Sequence, residues 1–255
     1  MRSAQIVLLV LAGASLLAGC ATKAWDGSVD RWGTLRQVLR EGDDHGKVHF
    51  ARICSPFTHG IGALAKLEGE IAIQRGVPFT SRASSPSGLP AHARIRSSIA
   101  TRDDEAAFLV SAEVYTWSEF RIEKTLDEEG FRAWLEIELA GTAAEHAAIV
   151  PVRITGIFRW NGHVLAGHCP FSTEPMRPGA SSPVPVTGSL QTGATLIGFF
   201  TRLPPGEIAH HGTSFHLHAV DQETGQVAHV DSFTLGLGSR VHLPAIDGLD
   251  SSSTE

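Results

Sequence analysis

The run Ser214-Phe-His-Leu-His-Ala-Val220 leads through Asp221-Gln-Glu-Thr-Gly225 into Gln226-Val-Ala-His-Val-Asp-Ser-Phe233. Both flanks have strand character. Residues two apart on a strand point to the same face, so His216 and His218 can present their imidazoles together. The segment between the flanks has turn composition, with Gly near its end. A loop of Gln222 to Gly225 sets Asp221 opposite Gln226, and the same register sets His218 opposite His229. Directly opposed side chains share a face, with β-carbons about 4.5–5.5 Å apart. Three imidazoles therefore converge on one face of one hairpin.

Three protein ligands with an open position are the arrangement of a catalytic metal site rather than a structural one. Neutral nitrogen donors suit zinc, and also iron, copper, nickel and cobalt. Against this stands the plainer reading of unrelated histidines in a chain that has 13 of them. An isolated His-x-His is weak; the third histidine on its face is what favours a metal. His210 and His211 read as loop residues, separated from the strand by Gly212. His163 and His168 flank a turn and lack a third partner. His45, His49, His59, His92 and His146 are isolated.

Working outward, Val186-Leu190 and Thr195-Phe200 are strand-like runs before the hairpin. Val150 to Trp160 is another, followed by a turn at Asn161-Gly162. Trp134 to Leu139 alternates like a strand but follows an acidic, helix-compatible stretch from Lys124, and periodicity leaves that boundary open. Phe108 to Trp117 reads as a strand, and so does Val48 to Ile53. Between Gly60 and Gly76 lie two strands with a turn at Glu68-Gly69. Trp32, Leu35, Val38 and Leu39 make one stripe of a helix over Arg31 to Glu41. No repeat and no second linker divides the chain. The expectation is a single strand-rich α+β domain over residues 31–243, with few helices.

The N-terminus reads as a targeting signal over residues 1–19. Arg2 precedes an apolar run, Ile6 to Leu17, too short to span a bilayer comfortably. Leu17-Ala18-Gly19-Cys20 resembles a bacterial lipobox. Cleavage before Cys20 and acylation of its sulfur would make an envelope lipoprotein, tethered to a membrane through residues 20–30. That leaves Cys54 and Cys169, either bonded to each other or free. Residues 244–255 form a short polar tail. The net charge of −6 is spread along 255 residues with no basic stripe, which argues against nucleic acid as a partner.

Three blocks resemble the acetolactate decarboxylase family. They are His59-Gly-Ile-Gly-Ala-Leu-Ala-Lys-Leu-Glu-Gly-Glu-Ile71, Val152-Arg-Ile-Thr-Gly-Ile-Phe158, and Val186-Thr-Gly-Ser-Leu to Gly198-Phe with the histidine hairpin after it. The resemblance implies mixed β-sheets, a homodimer, and a zinc-dependent lyase turning 2-acetolactate into acetoin and carbon dioxide. It implies His216, His218 and His229 as metal ligands, Glu70 as a proton donor and Arg153 as the fork that holds a carboxylate or enediolate. The family's further C-terminal glutamate has no clear counterpart here; Asp247, Asp250 and Glu255 qualify by location only. Two other readings compete: a non-catalytic envelope lipoprotein of the same fold that binds a metal or ligand, and a cupin-like oxygenase. The latter lacks a well-placed glutamate, since Glu223 falls in the turn.

Overall fold

The computed structural model describes residues 23–84, 93–188 and 193–247. Strands dominate, and they segregate by chain order into two sheets. The first sheet holds β1 (Asp30–Trp32), β2 (Val48–His49), β3 (Thr58–Leu64), β4 (Glu70–Gln74), β5 (Val77–Ser84), β6 (Arg94–Ile99) and β7 (Glu105–Glu113). Their order is β1-β7-β3-β4-β5-β6, with β2 also on β7. The second sheet holds β8 (Trp117–Arg121), β9 (Leu126–Asp127), β10 (Ile149–Thr155), β11 (Phe158–Val164), β12 (Val184–Gly188), β13 (Ala194–Thr201), β14 (Phe215–Asp221), β15 (Val227–Leu235) and β16 (Arg240–Pro244). Their order is β12-β11-β15-β14-β13-β10-β16-β8, with β9 on β15. The strand-rich α+β expectation holds, and every ladder among the described residues is antiparallel.

The sheets face each other, β3 to β5 lying against β11 and β13 to β15. Ile61 and Ala72 from one sheet and Leu196 and Val227 from the other are fully buried in the core they share. At fixed strand spacing, such apolar layers also decide where polar groups can be held away from water.

Among the described residues, two α-helices complete the domain. α1 spans Leu35–Arg40, shorter than the Arg31–Glu41 stripe predicts. Thr34 ends it: its side chain accepts the Gln37 N–H while the Gln37 side chain accepts the Thr34 N–H, a reciprocal capping box. Trp32 consequently belongs to β1. α2 covers Glu128–Leu139, which settles the Trp134–Leu139 ambiguity in favour of helix. Asp127 caps it, and Phe131, Leu135 and Leu139 recur at helical spacing on its buried face. Phe131 stacks on Phe215, with ring centroids 5.1 Å apart. Phe215 is one residue from His216, so α2 covers the face of β14 opposite its histidines.

Three further expectations need correction. Asn161-Gly162 is not a turn but lies within β11; the turn is at Gly156-Ile157, where Gly156 has φ +97°. Val48 to Ile53 is a strand for its first two residues only, and Phe50–Arg52 then form a 3-10 turn. The run Phe108 to Trp117 is interrupted, β7 ending at Glu113 and β8 beginning at Trp117. Within the residues read as a tether, Trp25 is buried and its N–H donates to the Ala245 carbonyl, so packing begins there. Cys20 lies outside the described residues.

Candidate metal centre

The hairpin register is the one the turn composition predicts. Asp221 N–H donates to the Gln226 carbonyl at 2.9 Å, and His218 pairs with His229. His216 and His218 sit on β14 and His229 on β15, with 4 %, 1 % and 7 % of their surfaces exposed. Their ring centroids are 5.0 Å (His216–His229), 5.3 Å (His216–His218) and 5.6 Å (His218–His229) apart. Imidazoles sharing one ion at the usual zinc–nitrogen length, with tetrahedral angles, would have centroids roughly 5 Å apart. The three ring centroids have that spacing, while the group among the described residues whose ligand atoms already lie within 4.8 Å of one another is His163, His229 and Asp231.

Hydrogen bonding at the other ring nitrogens supports the same conclusion. His216 Nδ1 lies 2.5 Å from the Ile208 carbonyl, which can only accept, so this nitrogen carries the proton and Nε2 keeps its lone pair. His229 Nδ1 lies 3.0 Å from Asp231 Oδ1, with the same consequence. Both ring nitrogens of His218 are buried without a hydrogen-bond partner. A buried, unsatisfied imidazole is costly; a metal ion would satisfy it. Burial, and then the neighbouring imidazoles, push His216 down to about 3 and His218 well below the usual histidine range. Burial likewise takes His229 down to about 4, outweighing the Asp231 hydrogen bond. Neutral imidazoles are what a metal needs.

Asp231 owes its position to a local irregularity. Asn161 pairs with Ser232 and Gly162 with Val230, which makes Asp231 the extra residue of a β-bulge. Its carboxylate meets His229 and also His163 Nδ1, at 3.1 Å from Oδ2. His163, Asp231 and His229 offer ligand atoms within 4.8 Å of one another. Burial raises the Asp231 carboxyl, but its hydrogen bonds to the two histidines outweigh that and hold it well below the carboxylate range. Burial opposes the charge on His163, while the Asp231 hydrogen bond and the Glu70 and Asp231 charges overcome that and raise its pKa. Asn161-Gly162 has turn composition, which hides His163 in the sequence; its place directly across from His229 follows from the bulged β11–β15 register.

Glu70 begins β4 and enters from the opposite sheet. It is 2 % exposed, its Oε2 lies 3.6 Å from His218 Nε2, and its Oε1 accepts the Leu165 N–H at 3.2 Å. Burial pushes its carboxyl up to about 8. With His163, His210 and Cys169 it joins the strand histidines around a cavity of about 20 Å³. That volume admits one water- or ion-sized body. Gly62 lines the same cavity from β3, where a β-carbon would run into the Phe108 carbonyl. Cys54 and Cys169 are both free; burial pushes the Cys169 thiol up to about 12.

Arg153 stands apart from this group. The cross-strand partners run His229, His218, Ile197, Arg153, His242, so Arg153 is on the histidine row with Ile197 between it and His218. Its guanidinium lies 5.3 Å from the Trp117 ring centroid, and it does not line the cavity. Its Nε is buried without a hydrogen-bond partner. Burial, then the Arg153 and Arg75 charges, bring the nearby His59 down to about 4. Asp247 is exposed and does not line the cavity; Asp250 and Glu255 lie outside the described residues.

Comparison with known proteins adds an independent line. The fold is similar to acetolactate decarboxylase from Bacillus subtilis subspecies spizizenii, with 17% identity, a TM-score of 0.61 and 85% of each chain covered. It is similar to alpha-acetolactate decarboxylase from Bacillus subtilis strain 168, with 17% identity, a TM-score of 0.62, and 88% of this chain and 94% of that one covered. A Staphylococcus aureus protein of unknown function, described as similar to alpha-acetolactate decarboxylase, matches at 16% identity and TM-score 0.62 over 86% of each chain. No curated protein matches the chain. At such identities the structures speak for the fold. The family assignment rests on the alpha-acetolactate decarboxylase family model, which matches residues 33–252 and so spans nearly all of the described domain. The chain belongs to the alpha-acetolactate decarboxylase family.

Proposed function

We propose that this protein decarboxylates 2-acetolactate, or a similar small 2-hydroxy-3-oxo acid, to acetoin and carbon dioxide, using zinc or another divalent transition metal held by His216, His218 and His229. The observation that carries this reading is one buried cavity where the three neutral imidazoles meet the raised-pKa carboxyl of Glu70. A bound divalent ion supplies Lewis-acid polarisation of the substrate's ketone and hydroxyl oxygens.

The chain's own groups account for the remaining steps. When the carboxylate leaves as carbon dioxide, its electron pair delocalises into an enediolate, and the carbon it left must take a proton. Glu70 is suited to give it: burial favours the protonated carboxyl, and the Leu165 N–H fixes its orientation. Asp231 and the Ile208 carbonyl lock the tautomers of His229 and His216. Arg153, beyond Ile197 on the histidine row, is the residue in this reading that meets the substrate carboxylate. Closure of the site by apolar walls, among them Leu35, Val38, Leu39 and Phe108, excludes water from the enediolate.

The small size of the cavity favours a second reading, a metal-binding lipoprotein without turnover. In both, Cys20 would carry the lipid that holds the domain at the bacterial envelope. The deciding experiment is acetoin formation from racemic acetolactate by zinc-loaded protein. Metal-dependent acetoin, lost in His216→Ala, supports the lyase. Full zinc occupancy with no carbon dioxide released from any β-keto acid tested would overturn it.

A further inference from the structure

We propose that His210, from the loop between β13 and β14, is a further metal-binding imidazole of this centre. The proposal rests on the reading above that the strand histidines hold the ion. The His210 ring centroid is 5.1 Å from that of His229 and 5.8 Å from that of His216. The first separation is within the 5.0–5.6 Å that the strand histidines show among themselves and the second is just beyond it, both near the roughly 5 Å of imidazoles sharing one ion. Its ring makes no hydrogen bond among the described residues; its other aromatic neighbour is Phe171, with centroids 4.3 Å apart.

The loop is built to deliver this ring. Gly206 N–H donates to the Ala209 carbonyl at 2.8 Å, closing the turn that leads into His210. The first N–H groups of α1 donate into the same loop, Leu35 to the Glu207 carbonyl at 3.1 Å and Arg36 to the Gly206 carbonyl at 2.7 Å. The Ile208 carbonyl that fixes the His216 tautomer is two residues before His210, so one short segment both orients a strand ligand and carries the additional ring.

His210 also forms the wall between the inner cavity and the outside. It lines the inner cavity, a surface groove of about 400 Å³ with Arg36 and Arg40 at its edge, and a second groove of about 170 Å³. A five-carbon acid does not fit the 20 Å³ cavity beside the histidines, and His210, which lines both that cavity and the outer grooves, stands between the two. His210 thus completes the resting centre.

The test uses the full chain loaded with zinc or cobalt(II), with His210→Ala, His211→Ala and His216→Ala beside the wild type. The expected result is a zinc affinity about tenfold or more weaker for His210→Ala, by chelator competition. Its cobalt(II) visible spectrum should change, while His211→Ala matches the wild type in both. X-ray absorption of the zinc-loaded wild type, which needs no variant, should fit four imidazoles. Three imidazoles, or wild-type affinity and spectrum in His210→Ala, would overturn the proposal; loss of zinc in His216→Ala would then leave the three-histidine centre standing. A wild-type chain that binds neither metal would defeat the centre itself.

Discussion

His218 and His229 are direct cross-strand partners on β14 and β15, and the next ladder sets His163 directly across from His229. Two antiparallel pairings thus lay three imidazoles in a row on one face of the sheet, and His216 joins from two residues away on β14. The site needs no long loop to assemble these rings; strand spacing does it.

Asp231→Asn should keep the fold and weaken zinc binding about 10- to 100-fold, the usual cost of losing an outer partner of a liganding histidine. The bulge that presents Asp231 comes from backbone register, so the fold should persist, with a lowered midpoint because the carboxylate's bonds to His163 and His229 are weakened. Chelator competition and a denaturant titration check the two halves separately.

Glu70→Gln should retain one metal per chain and lose about 10²–10⁴ in kcat, the range for a positioned proton donor. The amide keeps the shape and a hydrogen-bond acceptor for the Leu165 N–H but has no acidic proton. Steady-state kinetics with metal analysis of the same sample checks it.

Arg153→Ala should raise KM about tenfold or more with metal content unchanged, as expected when a charge-assisted hydrogen bond to a carboxylate is removed. An unchanged KM with a lowered melting temperature would instead confine Arg153 to packing against Trp117.

The metal-free protein should lose stability as pH falls below about 6.5. His216, His218 and His229 are depressed in the folded state, so unfolding takes up three protons between their folded values and the usual 6.5. Glu70 is raised to about 8, so above its unfolded value near 4.5 unfolding releases one. The net uptake of two protons means stability rises with pH across about 4.5–6.5, at no more than ~3 kcal/mol per pH unit from these groups. Between about 6.5 and 8 the Glu70 contribution reverses the sign. Urea titrations of the metal-free protein at pH 5, 6 and 7 measure the slope.

Gly62→Ala should cost about 1–3 kcal/mol, because the added methyl meets backbone of β7 rather than a side chain that can turn aside. Denaturant unfolding checks it.

The histidine hairpin was legible because two local signals agree there: period-2 placement of His216 and His218, and a turn whose composition sets the register. α2 was ambiguous because Trp134 to Leu139 alternates as a strand would; its Asp127 cap and the Phe131, Leu135, Leu139 spacing decide it, with tertiary support from Phe215. His163 was hidden by Asn161-Gly162, a good turn dipeptide that here occupies a bulged strand, where Gly is required by close approach of the His229 carbonyl. His210 and Cys169 reach the cavity through loops whose paths are set by hydrogen bonds to α1, an arrangement without local periodicity. No local pattern marks Arg153, whose neighbours Trp117 and His242 come from strands distant in sequence.

Isothermal titration calorimetry of the purified chain, with His218→Ala in parallel, gives the zinc stoichiometry and affinity on which the three-histidine centre stands or falls. The prediction is one zinc per wild-type chain and loss of that binding in the variant, since both ring nitrogens of His218 are buried with no hydrogen bond to satisfy them. A wild-type chain that takes up no zinc, or a variant that binds it as well as the wild type, would contradict it.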